Sequence, residues 1–266
     1  MSRFPALLGL SLGSVLLFAQ GRGCGFRQPD PIDHNDTSGF TRIFDGSTLQ
    51  NWDGDPNVWK VEDGAITGYS PKEKPVGTTF IIWRGGEPAD FEMKLEVRAE
   101  GAGANTGIQY RSKNVTPTFG RGPGRGPNPA RPDAPHPDPR WDLAGYQADF
   151  DYVNRFSGQL MDSGNGRFIM TWRGQTVQSE AGKNARLLAS LGDRDALAGY
   201  VKIGDWNQYH IIARGHQLMH IVNGHLMSIT FDDEPSLRSV KGLIGLQIEG
   251  NGGVKVSFRN IWLKTL

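Results

Sequence analysis

From Ala89 to Ser112 apolar and polar residues take turns along the chain. Phe91, Met93, Leu95 and Val97 alternate with Glu92, Lys94, Glu96 and Arg98. A period of two gives a strand one apolar and one polar face. A turn rich in Gly and Asn follows at residues 101–105, and then Ile108 and Tyr110 alternate with Gly107, Gln109 and Arg111. Each strand thus offers one face to a core and one to functional groups.

The same alternation runs through the rest of the chain. TRIFDGSTLQNW predicts a short strand, a turn and an aromatic. WKVEDGAITG predicts two strands joined at Asp63-Gly64, a dipeptide suited to a tight hairpin. Residues 78–83 form a continuous apolar run, read as a buried strand. Residues 145–151 place Tyr146, Ala148 and Phe150 opposite Gln147, Asp149 and Asp151. Short strands are predicted at 158–161 and 167–172. Residues 206–214, 217–222 and 225–231 read as a meander turning at Asn223-Gly224, and 243–249 and 254–263 close the chain. Residues 183–191, with Leu187, Leu188 and Leu191, carry the one helical spacing.

Residues 113–141 break the alternation with eight prolines among Gly and Arg. Proline has no N–H to give to a ladder, so this segment predicts a long loop. No repeat and no second boundary interrupts residues 40–266. Many short strands at regular spacing predict a single all-β domain, a β-sandwich of the jelly-roll type.

Composition supports this: 36 Gly and 16 Pro in 266 residues fit a chain of turns. A net charge of +1 argues against a general electrostatic grip on nucleic acid, and the arginines of 113–141 read as part of an insertion loop. At the start, Arg3, the apolar run from Leu7 to Phe18 and the small residues Ala19 and Gly21 predict a cleaved export leader over residues 1–21. The run is too short for a membrane span. Gly21 stands where a lipoprotein signal carries Leu or Val, which makes lipidation at Cys24 the minor alternative to periplasmic or extracellular release. Residues 22–39 are polar and read as a disordered linker. A single cysteine allows no internal disulfide.

Candidate chemistry lies on the polar faces. Glu92, Lys94 and Glu96, then Gln109 and Arg111, then Gln147, Asp149 and Asp151, then Gln247 and Glu249 converge if their strands share a sheet. Carboxylates can move protons, an arginine can hold an oxyanion, and amides can fix hydroxyls. The wet face of any one-sided antiparallel sheet has the same look. Amides and arginine beside Asp149 favour a site on the inner strands, while Glu92, Glu96 and Asp151 fit a wet surface. His210, His216, His220 and His225 lie along the meander, form no helical zinc pattern and read as surface positions.

FTRIFDGSTLQNW, WKVEDGAITG, ADFEMKLEVRAEGAGANTGIQYRS, GYQADFD, DWNQYHIIARGHQLMHIVNGH and GLIGLQIEGNGGVKVSFRNIWLKTL together resemble the 3-keto-disaccharide hydrolase family. The resemblance runs from Phe40 to the C-terminus. It implies a concanavalin A-like jelly roll in an exported bacterial protein that cleaves 3-keto-glycosides by elimination and hydration. The family's Asn-Ser-Gly-Ile is Asn105-Thr106-Gly107-Ile108 here. Its frequent histidine after Leu-Gln-hydrophobic is Glu249 here, so no histidine serves at that position.

A ketone at carbon 3 acidifies the hydrogen on carbon 2. The catalytic expectation is Asp149 as base, Arg111 on the developing enolate, and Glu249 as alternative base or metal ligand. Gln109, Gln147 and Gln247 are expected to hold substrate hydroxyls. A divalent metal remains an open cofactor. The competing expectation is a non-catalytic carbohydrate-binding or cell-surface module of the same fold, with Trp52, Trp83, Trp141 or Trp206 as aromatic platform.

Overall fold

The computed structural model describes residues 32–115, 138–164 and 166–266. The expected leader, Cys24 and residues 116–137 of the proline-rich segment lie outside the described residues. The strands in chain order are β1 (Thr41–Arg42), β2 (Trp52–Asp53), β3 (Trp59–Glu62), β4 (Ala65–Ser70), β5 (Gly77–Trp83), β6 (Phe91–Glu100), β7 (Asn105–Asn114), β8 (Leu143–Asp151) and β9 (Leu160–Ser163). They continue with β10 (Phe168–Thr171), β11 (Gln175–Glu180), β12 (Arg186–Ser190), β13 (Asn207–Arg214), β14 (Gln217–Val222), β15 (His225–Asp233), β16 (Leu243–Gly250) and β17 (Val254–Thr265). One short helix, α1, spans Arg194–Ala198.

Among the described residues the strands form two sheets. The larger runs β12-β11-β15-β14-β13-β6-β17-β4-β3, with β1 on β17. The smaller runs β10-β9-β8-β7-β16-β5-β2. Neighbours distant in sequence pair antiparallel, as β16 does with both β5 and β7. The one parallel pair is β11 with β15. The alternating apolar residues meet between the sheets: Phe91, Met93, Leu95 and Val97 of β6 share a core with Ile108 and Tyr110 of β7, Tyr146 and Ala148 of β8, and Leu246 and Ile248 of β16. The predicted jelly-roll sandwich is therefore the observed fold.

Asp63-Gly64 and Asn223-Gly224 turn their hairpins as predicted. Both residues of each pair have positive φ (50° and 75°; 49° and 81°), the mirror-image turn that matches strand twist. Among the described residues no helix is long and apolar enough to cross a membrane.

Four local expectations change. First, β6 and β7 lie in different sheets, so residues 101–104 carry the chain from one layer to the other. Glu92, Lys94 and Glu96 therefore do not join the polar residues of β7. Second, residues 186–190 form edge strand β12 against β11, not a helix; helix α1 begins at Arg194, capped by the Asp193 carboxylate. Backbone pairing overrode a leucine spacing too short to nucleate a helix. Third, residues 33–39 of the expected linker hold turns. The carbonyls of Asp33 and Asp36 accept hydrogen bonds from buried Lys94 (2.8 and 2.7 Å), and Phe40 lies over its ammonium. Fourth, the sheet continues through Lys113 and Asn114 at the start of the expected loop, and Pro139–Trp141 at its end forms a 3-10 turn.

Candidate functional site

The smaller sheet's outward face carries the candidate groups. Because Ile108, Ala148 and Leu246 point into the core, their strand neighbours point away from it. In register, Gln109 pairs with Gln147, Gly107 with Asp149 and Asn105 with Asp151. Gln109 also pairs with Gly245 on the other side, and that register carries Gln247 beside Gly107 and Glu249 beside Asn105. The Asn105 side-chain amide donates to Glu249 Oε2 at 2.5 Å, and Thr106 Oγ1 donates to the Gln247 carbonyl. Gln109, Gln147, Asp149 and Gln247 are all buried.

Gly107 makes this packing fit. A Cβ there would lie 2.5 Å from Gln147 Nε2 and 2.9 Å from the Ala148 carbonyl oxygen. Without it, the Gln147 side chain reaches Gln247 and donates from Nε2 to Oε1 at 2.8 Å. Two amides from strands on either side of β7 are thereby joined above its glycine.

Asp149 is the electrostatic centre. Its N–H donates to the Gln159 carbonyl (3.3 Å), and its Oδ2 accepts from Gln159 Nε2 at 2.6 Å. Burial pushes its pKa from 3.8 up to about 8. The charges of Asp151 and Glu249 push the same way; the amide bonds of Gln159 and Gln147 pull against them. A carboxyl group titrating near neutrality can both take and return a proton.

Around it, amide oxygens lack partners. Among the described residues eight buried side-chain polar atoms make no hydrogen bond, and four of them belong to this face: Asn105 Oδ1, Gln109 Oε1, Gln147 Oε1 and Gln159 Oε1. Buried acceptors are normally satisfied, so this cluster suits a ligand rich in hydroxyl donors. Among the described residues no group of three or more His, Cys, Asp or Glu could hold a metal ion.

The structure brings Asp149, Glu249, Gln109, Gln147 and Gln247 onto one face. It does not bring Arg111 there. Tyr110 pairs with Tyr146 and Lys113 with Ala144, so two residues of β7 oppose one of β8. At this bulge Arg111 has φ of 45° and its side chain leaves the face. The guanidinium instead donates to the carbonyls of Ala89 (2.7 Å) and Gly215 (2.7 Å) and to Asp90 (2.9 Å). It ties the strand end to loops of the other sheet and is not placed to hold an enolate at Asp149.

Asp151 is buried, not on the wet surface expected of it. Its carboxylate accepts the N–H groups of Arg155, Phe156 and Ser157, fixing the turn before β9. Of the meander histidines, His210 and His220 are buried, not on the surface. His220 lies on the core side beneath the site. Its Nδ1 is 3.1 Å from the Gln159 carbonyl and its Nε2 3.0 Å from the Tyr110 hydroxyl. Burial lowers its pKa to about 4, so a neutral ring donates to Gln159 and accepts from Tyr110.

Sequence reasoning missed Gln159 and His220. Gln159 precedes its strand, in a turn with positive φ at Gly158, where periodicity gives no signal. His220 had one: it shares the parity of Leu218 and Val222, both core residues. Of the candidate aromatic platforms, Trp52 is buried in the core, its Nε1 bonded to the Ile43 carbonyl. The guanidinium groups of Arg98 and Arg259 both lie over the Trp206 ring, at 4.8 and 4.1 Å. Trp83 packs partly against the core. Trp141 lines two clefts.

Comparison with known proteins agrees with this architecture. Residues 39–264 match the model of the 3-keto-alpha-glucoside-1,2-lyase-like domain. A candidate glycosyl hydrolase from Parabacteroides distasonis ATCC 8503 is similar in structure at a TM-score of 0.50 and 19% identity, over 85% of this chain and 99% of the other. A Bacillus subtilis protein with a galectin-like fold gives a TM-score of 0.51 and 11% identity, over 85% and 94%. At these identities the likeness is one of fold. A comparison with curated proteins gives no match.

Proposed function

Because the chain belongs to the 3-keto-alpha-glucoside-1,2-lyase-like domain family, we propose that the face of β8, β7 and β16 cleaves 3-keto-glycosides by elimination followed by hydration. A carbohydrate-related role follows from the family; the reaction is our reading of the site. The observation that carries it is Asp149, a buried carboxyl group with pKa about 8, set among four buried amide oxygens without partners.

Ionised Asp149 takes the proton from carbon 2, next to the ketone. The electron pair forms the bond between carbons 1 and 2, and the glycosidic oxygen leaves carbon 1, taking a proton from solvent or from Glu249. In the second stage water adds at carbon 1 and gives up a proton, and protonated Asp149 returns its proton to carbon 2. Net, one water cleaves one glycosidic bond, and the carboxylate is restored. Gln109, Gln147 and Gln247 hold substrate hydroxyls and the ketone oxygen through their amides. Gln159 orients Asp149 with its 2.6 Å bond, and His220 in turn holds Gln159. Arg111, tied to the carbonyls of Ala89 and Gly215, takes no part in this mechanism.

The test is incubation of the purified protein with 3-keto-glucosides, following the enone by absorbance and the products by mass. Wild type should turn over at least one such glycoside, and Asp149→Asn should lose roughly a hundredfold or more. Absence of turnover on every keto-glycoside, with glycan binding retained, would establish the non-catalytic module instead. The proposed setting is outside the cytoplasm, with residues 1–21 as leader. Intact mass of exported protein beginning near Arg22 would support it, and a full-length cytoplasmic product would refute it.

A further inference from the structure

A cleft of about 430 Å³ adjoins the polar face on its β5 side. Its lining includes Asp55, Asn57, Lys74, Thr78, Asp138 and Trp141. Thr78 pairs with Glu249, so the cleft begins where the row of candidate site residues ends. We propose that this cleft is a second sugar subsite, which takes the leaving-group ring of a disaccharide or longer glycan with Trp141 as its stacking platform. This rests on the reading of Asp149 as the centre of cleavage.

The geometry supports it in three ways. First, the distance fits a second unit. Asp149 lies on β8 and Thr78 on β5, with β7 and β16 between them. Three strand spacings amount to about 14 Å, more than one pyranose ring spans. A ring whose carbon 2 lies at Asp149 leaves the cleft free for whatever is attached at carbon 1.

Second, the indole is fixed in place. Its Nε1 donates to Asp53 Oδ1 at 2.9 Å, and the other oxygen of Asp53 is held by Arg84 at 2.8 Å. A rigid aromatic binds with little loss of side-chain freedom. The Arg140 guanidinium lies over the ring at 4.3 Å and is held there by the Asp138 carboxylate at 2.7 Å.

Third, the chemistry of the lining is mixed in the way a sugar needs. Val58, Val76 and the indole supply apolar contact, while Asp55, Asn57, Lys74 and Asp138 supply acceptors and donors for ring hydroxyls.

The experiment compares a 3-keto disaccharide with methyl 3-keto-glucoside, which has no second ring. In Trp141→Ala the ratio of kcat/KM for the disaccharide to that for the methyl glycoside should fall about tenfold, as expected for loss of one stacked aromatic contact. The fall should appear mainly in KM for the disaccharide, and Trp141→Phe should restore part of it. Asn57→Ala and Lys74→Ala, which leave the Asp53 bond to the indole intact, should lower the same ratio if Trp141→Ala unfolds the turn. A ratio unchanged in all four variants overturns the subsite. Failure of the catalytic reading would show separately, as absence of turnover of both substrates by wild type. Calorimetric titration then decides the subsite alone: selective weakening of disaccharide binding in the variants supports it, and equal binding of both ligands to wild type and variants overturns it.

Discussion

Replacing Asp149 by Asn tests the electrostatic core of this reading without any substrate. The folded-state pKa of Asp149 is about 8, against 3.8 for the free group. Between those values the folded chain holds a proton that the unfolded chain has lost. Stability must therefore be greatest below about pH 4 for this group and fall as pH rises toward 8. The shift spans about four pH units at 1.36 kcal/mol each, an upper bound on the order of 5 kcal/mol. Asn keeps an acceptor for Gln159 and carries no charge, so it removes the titration and little else. Urea unfolding of wild type and Asp149→Asn from pH 4 to 9 should give similar stabilities at the acid end. At pH 9 the variant should be the more stable by a few kcal/mol. Parallel stability curves across the range would refute the raised pKa. On the proposed mechanism the same group governs turnover, so activity of the wild type should rise with pH to a midpoint near 8, where the carboxylate becomes available as base.

Other substitutions separate structure from chemistry. Arg111→Ala should lower stability by about 2–4 kcal/mol by stranding the carbonyls of Ala89 and Gly215, with a thermal midpoint several degrees lower by scanning calorimetry; an unshifted midpoint would contradict its role as a tie. Gly107→Ala drives a methyl into Gln147 and the Ala148 carbonyl, and should abolish most turnover while circular dichroism stays that of a β protein; normal turnover would show that the Gln147–Gln247 pair is dispensable. Gln159→Leu removes a bond that lowers the Asp149 pKa, so the midpoint of the pH–activity profile should move above 8, and a downward or absent shift would exclude Gln159 as its partner.

Much of this was legible in the sequence because antiparallel strands with one core face write themselves as alternation. Gln147 and Asp149 could be assigned to one face from Tyr146, Ala148 and Phe150, and Gln247 and Glu249 from Ile244, Leu246 and Ile248. Alternation fails where register does. The bulge at Arg111 inserts one residue and takes the guanidinium off the face its parity implied. It also cannot tell which sheet a strand joins, so the polar residues of β6 looked like neighbours of those on β7 when they face the other side of the sandwich. Burial was likewise out of reach. The wet surface that the alternation predicts would leave Asp149 with an ordinary pKa, whereas burial raises that value and the amide hydrogen bonds of Gln159 and Gln147 offset only part of the rise.

The loss of Arg111 from the site changes what must stabilise the enolate. Among the described residues, the side chains that share this face with Asp149 include the amides of Gln109, Gln147 and Gln247, the Glu249 carboxylate, the Thr78 hydroxyl and the Phe80 ring. Proton abstraction there moves a negative charge and does not create one: the carboxylate becomes neutral as the ketone oxygen becomes anionic. An environment that tolerates one charge at Asp149 has only to tolerate it a short distance away, provided amide donors point at its new place. Gln247, which shares a hydrogen bond with Gln147 over Gly107, is the candidate donor. Gln247→Glu keeps the shape, removes the donor and adds a second negative charge. It should cost at least a hundredfold in kcat and move the activity midpoint above pH 8. Gln247→Leu, which removes the donor without adding charge, should cost less and leave the midpoint nearer its original value. Equal losses in the two variants, with equal midpoints, would mean that the charge does not pass near Gln247 and that the enolate lies elsewhere on the face.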